Sequence, residues 1–148
     1  MATKLEFDFP MLNKLQKQLE EIGGTALDEA VDKAISESHA FVTKQLEDAI
    51  ASHKEPGKTE PGKTERSLDK KADIIKTGTS YSSDVGFHIT EGGLPSIFLM
   101  YGTKVHGQPH ITPDKKLYNA IYGTATKKKV QEIQAQAFFE TIEKVMKK

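Results

Sequence analysis

An α+β fold is predicted by three features of this 148-residue chain. Helical stripes occupy both ends, period-two alternation appears between them, and a polar stretch separates the first helices from the alternating part. The reading is one domain, residues 1–148, with a small antiparallel sheet packed against N-terminal helices and a long C-terminal helix. A long flexible loop interrupts it.

Pro10 suits the first turn of a helix, where its missing N–H is no loss, and Asp8 favours the positive end of the dipole. Leu12, Leu15, Leu19 and Ile22 follow at three- and four-residue steps, and Gly23-Gly24 supplies a stop. Thr25 and Asp28 resemble a capping box for a second helix. Its stripe runs through Leu27, Val31, Ala34, Ile35, Phe41, Val42 and Ala49 towards His53. From Lys54 to Lys71 only Leu68 is a sizeable apolar residue, and such a composition does not offset the entropy of ordering a chain. Residues 54–71 therefore read as a mobile polar loop.

Ile75, Thr77, Thr79 and Tyr81 alternate, as do Val85, Phe87 and Ile89, with Ser82-Ser83-Asp84 as the turn between two strands. Glu91-Gly92-Gly93 reads as a further turn. The run from Leu94 to Tyr101 is apolar throughout, so periodicity leaves both strand and short helix open. Gly102 to Pro113 reads as loop. Thr112-Pro113-Asp114 then reads as a cap, a first-turn proline and a dipole-favoured acid. Leu117, Ala120 and Ile121 form the buried face of the closing helix, which Gly123 kinks or interrupts. Val130, Ile133, Ala137, Ile142 and Val145 continue its stripe, and Lys144, Lys147 and Lys148 suit the negative dipole end.

Lys and Arg number 21 and Asp and Glu 21, so the net charge is zero. Duplex binders usually carry a basic surplus, so nucleic acid is not the expected main partner. There is no cysteine, hence no disulfide framework, thiolate metal site or cysteine nucleophile. No apolar run approaches the roughly 18 residues of a membrane span, and MATKLEFDFP lacks the apolar core of a signal peptide. The expectation is a soluble protein that stays in the cytoplasm of the cell making it, with no membrane partner.

Gly57 to Thr64, GKTEPGKT, satisfies the pattern G-x-x-x-x-G-K-[ST] of a phosphate-binding loop. Its context does not. The preceding segment reads as helix rather than strand, and Pro61 removes a backbone donor where several are needed. Nothing from Glu65 to Lys71 forms a stripe that would dock a following helix. The match arises because the pentapeptide EPGKT occurs twice, at 55–59 and 60–64.

His106 and His110 are four apart, but Gly107 and Pro109 exclude the helical face on which that spacing builds a metal site, and only Asp114 offers a third ligand. Nothing places a base against Ser80, Ser82 or Ser83, and His39, His53 and His88 share no implied partner. The residues thus suggest no catalytic constellation, no metal and no cofactor, and no enzyme is expected. Lys127-Lys128-Lys129 reads as a solvated face, with contact to DNA as the alternative. Phe138, Phe139, Tyr118 and Tyr122 are more aromatic surface than one sheet face requires. A well-filled core and a subunit interface both account for them.

The segment from Ile97 to Tyr118, IFLMYGTKVHGQPHITPDKKLY, carries a resemblance. It is similar to the tail-completion, or head–tail joining, proteins of long-tailed bacteriophages. In that family an apolar strand ends in aromatic-Gly-Thr, and a short loop leads to Pro-aromatic-aliphatic-x-Pro before the C-terminal helix. The matching residues are Tyr101, Gly102 and Thr103, then Pro109, His110, Ile111 and Pro113. The chain departs from the pattern at His110, Thr112 and Asp114, where the family has an aromatic, a basic and a small residue. Thr64-Glu65-Arg66-Ser67-Leu68 is a degraded echo of the family's Thr-Gly-x-Leu-x-x-Ser stretch. The match covers the C-terminal half by motif and the N-terminal half by layout alone.

The resemblance implies a structural virion protein of the tail neck, present in host cytoplasm during assembly. It implies a self-assembled ring, commonly hexameric, that joins the tail tube to the head connector below the portal, with DNA passing through its lumen. The alternatives from other classes are a small nucleic-acid-binding protein and a nucleotide-binding enzyme built on GKTEPGKT.

Overall fold

The computed structural model describes residues 3–7, 24–53, 62–78 and 80–146. The fold is α+β. Its elements are β1 (Thr3–Phe7), α1 (Gly24–Ala51), α2 (Lys63–Arg66), β2 (Ile74–Thr77) and β3 (Ser80–Val85). A 3-10 turn (Ile89–Glu91), α3 (Leu94–Tyr101), β4 (Thr103–Val105), β5 (Gln108–Ile111), α4 (Lys115–Tyr122) and α5 (Thr124–Met146) follow. The helix expected from Pro10 to Ile22, residues 54–61 and the final two lysines lie outside the described residues.

The predicted stripe of the second helix becomes the spine of the molecule. Over its 28 residues α1 buries one side chain or more in every turn, from Leu27 to Ile50. Its N-terminal half contributes Leu27, Ala30, Val31 and Ile35 to a core with Tyr81, Phe138 and Ile142. Its C-terminal half contributes Val42, Leu46, Ala49 and Ile50 to a second core with Leu68, Val85, Phe87, Met100, Leu117 and Ala120. Each large apolar side chain so buried stabilises the fold by about 1.5–3 kcal/mol. Between the two cores α1 buries polar groups instead, namely Ser38, His39 and Thr43. The principal partner of α1 is α5, which runs antiparallel to it: Thr126 reaches Gln45 at 3.2 Å, and Glu140 takes Lys33 at 2.9 Å.

The sheet has the order β1-β3-β2, all antiparallel. Its edge strand β1 was not among the expected elements, although Lys4, Leu5, Glu6 and Phe7 alternate as a strand does. The expected turn at Ser82-Ser83-Asp84 is corrected: those residues lie inside the central strand, where Ser82 and Ser83 are buried. The β2-β3 pairing closes earlier, at Thr77 and Ser80. Gly78 has φ +62, which two-residue hairpin turns demand and glycine adopts without strain.

Of the polar loop expected over 54–71, residues 62–71 are described, and part of them is ordered. Gly62 leads into the single helical turn α2, and residues 67–69 are stitched to residues 86–88. Ser67 accepts from the His88 N–H at 2.8 Å, the Asp69 N–H donates to Gly86 at 2.9 Å, and Leu68 bridges Phe87. Leu68, the one apolar side chain of the stretch, is buried in the second core. A single well-placed leucine, bridged to Phe87 by two backbone hydrogen bonds, orders residues 67–69, which composition alone reads as unstructured.

The Leu94–Tyr101 run is a helix. Gly93 precedes it, Pro95 stands in its first turn, and Ser96 and Met100, one turn apart, are its buried residues. The strand that the phage resemblance implies here is therefore absent. The region expected as loop after Gly102 is a second hairpin, β4-β5, closed by His106-Gly107 with φ 50 and 77. Gly123 does interrupt the closing helix, with extended backbone at φ −64, ψ 143, and so separates α4 from α5.

Candidate assembly surface

The residues of the sequence motif converge on one compact unit, the α3–β4–β5–α4 segment. Gly102 ends α3 by donating its N–H to Phe98 at 2.8 Å and takes φ +73. A Cβ there would lie 2.6 Å from the Ile111 carbonyl and 2.8 Å from Pro113 Cδ, so only glycine fits. Thr103 pairs with Ile111 and Lys104 with Pro109, with a bulge between Thr103 and Lys104. The two halves of the motif, Tyr101-Gly102-Thr103 and Pro109 to Pro113, thus lie against each other. His110 sits exposed on β5 and His106 in the turn. Among the described residues no three His, Asp or Glu side chains converge as a metal site would need.

The start of α4 differs from the Thr112 cap expected. Asp114 is the N-cap: its Oδ1 accepts from the N–H groups of Lys116 at 2.9 Å and Leu117 at 3.1 Å. Thr112 and Pro113 precede the helix, because the Asp114 carboxylate stands directly before the free N–H groups and accepts from two of them. Asp114 also ties three elements together. Its N–H donates to Leu99 of α3 at 2.8 Å, and its Oδ2 meets His53 Nε2, just past the end of α1, at 2.5 Å. Desolvation pushes the Asp114 carboxyl up, but the His53 contact and the two N–H donors together hold it below its usual value.

Of the four aromatics expected at an interface, Phe138 is corrected: it is 1 % exposed and central to the first core. The buried face of α5 takes in Ala137 and Phe138 and ends there, so the next position, about 100° further round the helix, falls outside it. Phe139 faces outward, half-exposed. Tyr118 and Tyr122 belong to a surface cluster with Tyr101. The Tyr101 and Tyr118 rings meet edge-on at 5.9 Å, and the Tyr118 and Tyr122 rings are 5.0 Å apart. The Tyr101 hydroxyl, hydrogen-bonded to that of Tyr122, is held above the usual phenol range.

Leu94 and Phe98 were not singled out in the sequence, yet they extend this cluster. With Tyr101 they lie at i, i+4 and i+7 of α3, on one exposed stripe. Leu94 is 47 %, Phe98 45 %, Tyr101 55 % and Tyr118 39 % exposed. Taking about 150–250 Å² for a whole aromatic side chain, the ridge shows roughly 350–400 Å² of largely apolar surface. That is the size of the largest such patch on an ordinary monomer, which is often a functional surface. No period could have revealed it, because every residue of the run but Pro95 and Ser96 is apolar.

On the other flank of α4 a shallow groove runs between α1, α4 and α5. It is lined by Phe41 and Gln45, by Lys116, Asn119 and Ala120, and by Ala125, Thr126 and Lys129. The lysines of the 127–129 run are exposed, and Lys129 lies 3.8 Å from Glu132. Of the GKTEPGKT pattern, Lys63 and Thr64 fall in the four-residue α2, preceded by extended Gly62. The Thr64 hydroxyl donates to the Gly92 carbonyl at 3.1 Å. No helix of the described residues is long and apolar enough to cross a membrane. No family model, curated protein or solved structure matches the chain.

Proposed function

We propose that this chain is a structural protein of a bacteriophage virion, forming a ring at the head-proximal end of the tail and joining the tail to the head connector. The observation that carries the reading is the coincidence of motif and surface. The residues that resemble the tail-completion family build one glycine-locked unit, and that unit presents the aromatic ridge of Leu94, Phe98, Tyr101 and Tyr118. A ring of identical subunits needs such surface for contacts between unlike faces. The helical form of Leu94–Tyr101 departs from the family pattern, and the reading rests on the hairpin, the glycine and the prolines that follow.

The test is a nonsense mutation in the gene within its phage. Filled heads and finished tails should accumulate unjoined, and the purified protein should restore joining. Normal virions lacking the chain by mass spectrometry would refute the reading. A nucleotide-binding role makes the opposite demand: micromolar ATP affinity abolished by Lys63→Ala.

A further inference from the structure

We propose that the end of the molecule where α4 and α5 begin binds single-stranded nucleic acid, its lysines taking the phosphates and its tyrosine rings the bases. The inference goes beyond the assembly reading and does not depend on it. The chain's zero net charge conceals an uneven division. Residues 94–131 hold six lysines and one acid, Asp114, a net +5, so the remainder carries −5. The antiparallel packing of α1 on α5, with Thr126 against Gln45, gathers the first turns of α4 and α5 at one end. Lys116 and Lys129 line one groove there, and Lys115, Lys127 and Lys128 are exposed around it.

Nothing in the fold employs these cations. Among the described residues Lys115, Lys116, Lys127 and Lys128 make no ion pair, whereas Lys33, Lys70 and Lys76 meet carboxylates at 2.9, 3.0 and 3.3 Å. The acids nearby are engaged. Asp114 caps α4 and holds His53, Glu47 takes Lys70, Glu132 lies 3.8 Å from Lys129, and Asp48 stands one turn from Lys44 on α1. Neither α4 nor α5 has an acid in its first turn. Lys115, Lys116 and Lys127 instead stand at the positive ends of the two helix dipoles, where cations are disfavoured. Folding gains nothing from that placement, and a bound polyanion relieves it.

The neighbouring rings select the kind of polyanion. On α4, Lys115, Tyr118 and Tyr122 stand at i, i+3 and i+7, within about 60° of one another about the axis, and Tyr101 packs against Tyr118. Lysines tracking a backbone beside exposed rings on which bases stack are the parts of a single-strand site. In a duplex the bases are already stacked and the rings find no partner. An acidic protein would likewise employ the lysines alone. A membrane would take up Leu94 and Phe98 but not Gln45, Asn119 and Thr126 in the groove between the lysines, which can hydrogen-bond phosphate and sugar oxygens.

The test is fluorescence anisotropy of a labelled oligothymidylate of about 20 nucleotides titrated with the full chain. The expected Kd is about 10 µM or tighter at 50 mM salt, and four or five phosphate contacts give a slope of log K on log salt of about −3. Lys115→Gln and Lys128→Gln should each lower that slope by about 0.7, and Lys144→Gln at the far end of α5 should not change it. Tyr118→Ala should weaken binding about five-fold or more, and Tyr118→Phe, which keeps the ring, should retain it. No binding at 100 µM overturns the proposal, as does an equal effect of Lys144→Gln. Duplex of the same length bound as tightly as the single strand, with no loss in Tyr118→Ala, overturns the role of the rings. Tighter binding to vesicles containing about one-third phosphatidylserine, with none to the oligonucleotide, assigns the surface to a membrane instead. These readouts use the purified chain alone, so they stand or fall separately from head–tail joining.

Discussion

Replacing Phe138 and Phe139 one at a time separates core from surface on neighbouring residues. Phe138 is enclosed by Leu27, Ala30, Val31, Ile35, Tyr81 and Ile142, on two helices and the central strand. Phe138→Ala removes roughly 100 Å² of buried apolar surface, about 2.5 kcal/mol at 25 cal/mol/Å². The cavity left by incomplete collapse raises the total to about 3–5 kcal/mol. The same change at Phe139, which is half-exposed, should cost within about 0.5 kcal/mol. The assay is urea unfolding followed by circular dichroism. With a slope of about 2 kcal/mol/M, the Phe138→Ala midpoint should fall by about 2 M and the Phe139→Ala midpoint by about 0.2 M. If Phe138→Ala fails to fold, Phe138→Leu should lower the midpoint by about half as much. A loss below about 1 kcal/mol at Phe138, or of 2 kcal/mol or more at Phe139, would refute the assignment of the two faces.

Four further outcomes are expected. Asp114→Ala removes the α4 cap and the partner of His53 and should cost about 1–2 kcal/mol; because Asp114 is held below its usual value, its contribution is fully present above about pH 4 and is lost as pH falls through the folded value, a dependence the variant should lack. His39 is buried with Nε2 unpartnered, and desolvation holds it below its ordinary value, with Asp69 and the Asp84 carbonyl offsetting part of this; the unfolded chain therefore binds the proton first, so stability should fall below about pH 6.5 by up to about 1.4 kcal/mol per pH unit, and His39→Gln should flatten the curve measured by pH-resolved denaturation. His106 holds φ 50 in the β4-β5 turn, so His106→Asn, which makes the preferred Asn-Gly pair, should raise stability by about 0.5–1 kcal/mol in thermal unfolding, whereas Gly102→Ala should lower it by about 2 kcal/mol or more.

What the sequence by itself determined is the part governed by local periodicity. The α1 stripe, the last helix, its break at Gly123 and the fold class follow from apolar spacing and backbone-permissive residues, which act over a turn or two. The motif residues were also visible, and Gly102 and Pro113 meet because glycine alone tolerates that approach. Only the tertiary structure decided which side of an element faces inward when the sequence offers two apolar sides. That is why Phe138 and Phe139 part company, and why the uniformly apolar Leu94–Tyr101 run becomes a helix with an exposed stripe. It also decided the strand partners. Ser82 and Ser83 pair both with the neighbouring β2 and with β1, far off in sequence, and Asp84 with β1; whether Leu68 is ordered depends on Phe87. Long-range pairing is energetically decisive yet leaves no local trace in composition, and the ridge and groove on the two flanks of α4 exist only once that pairing has been made.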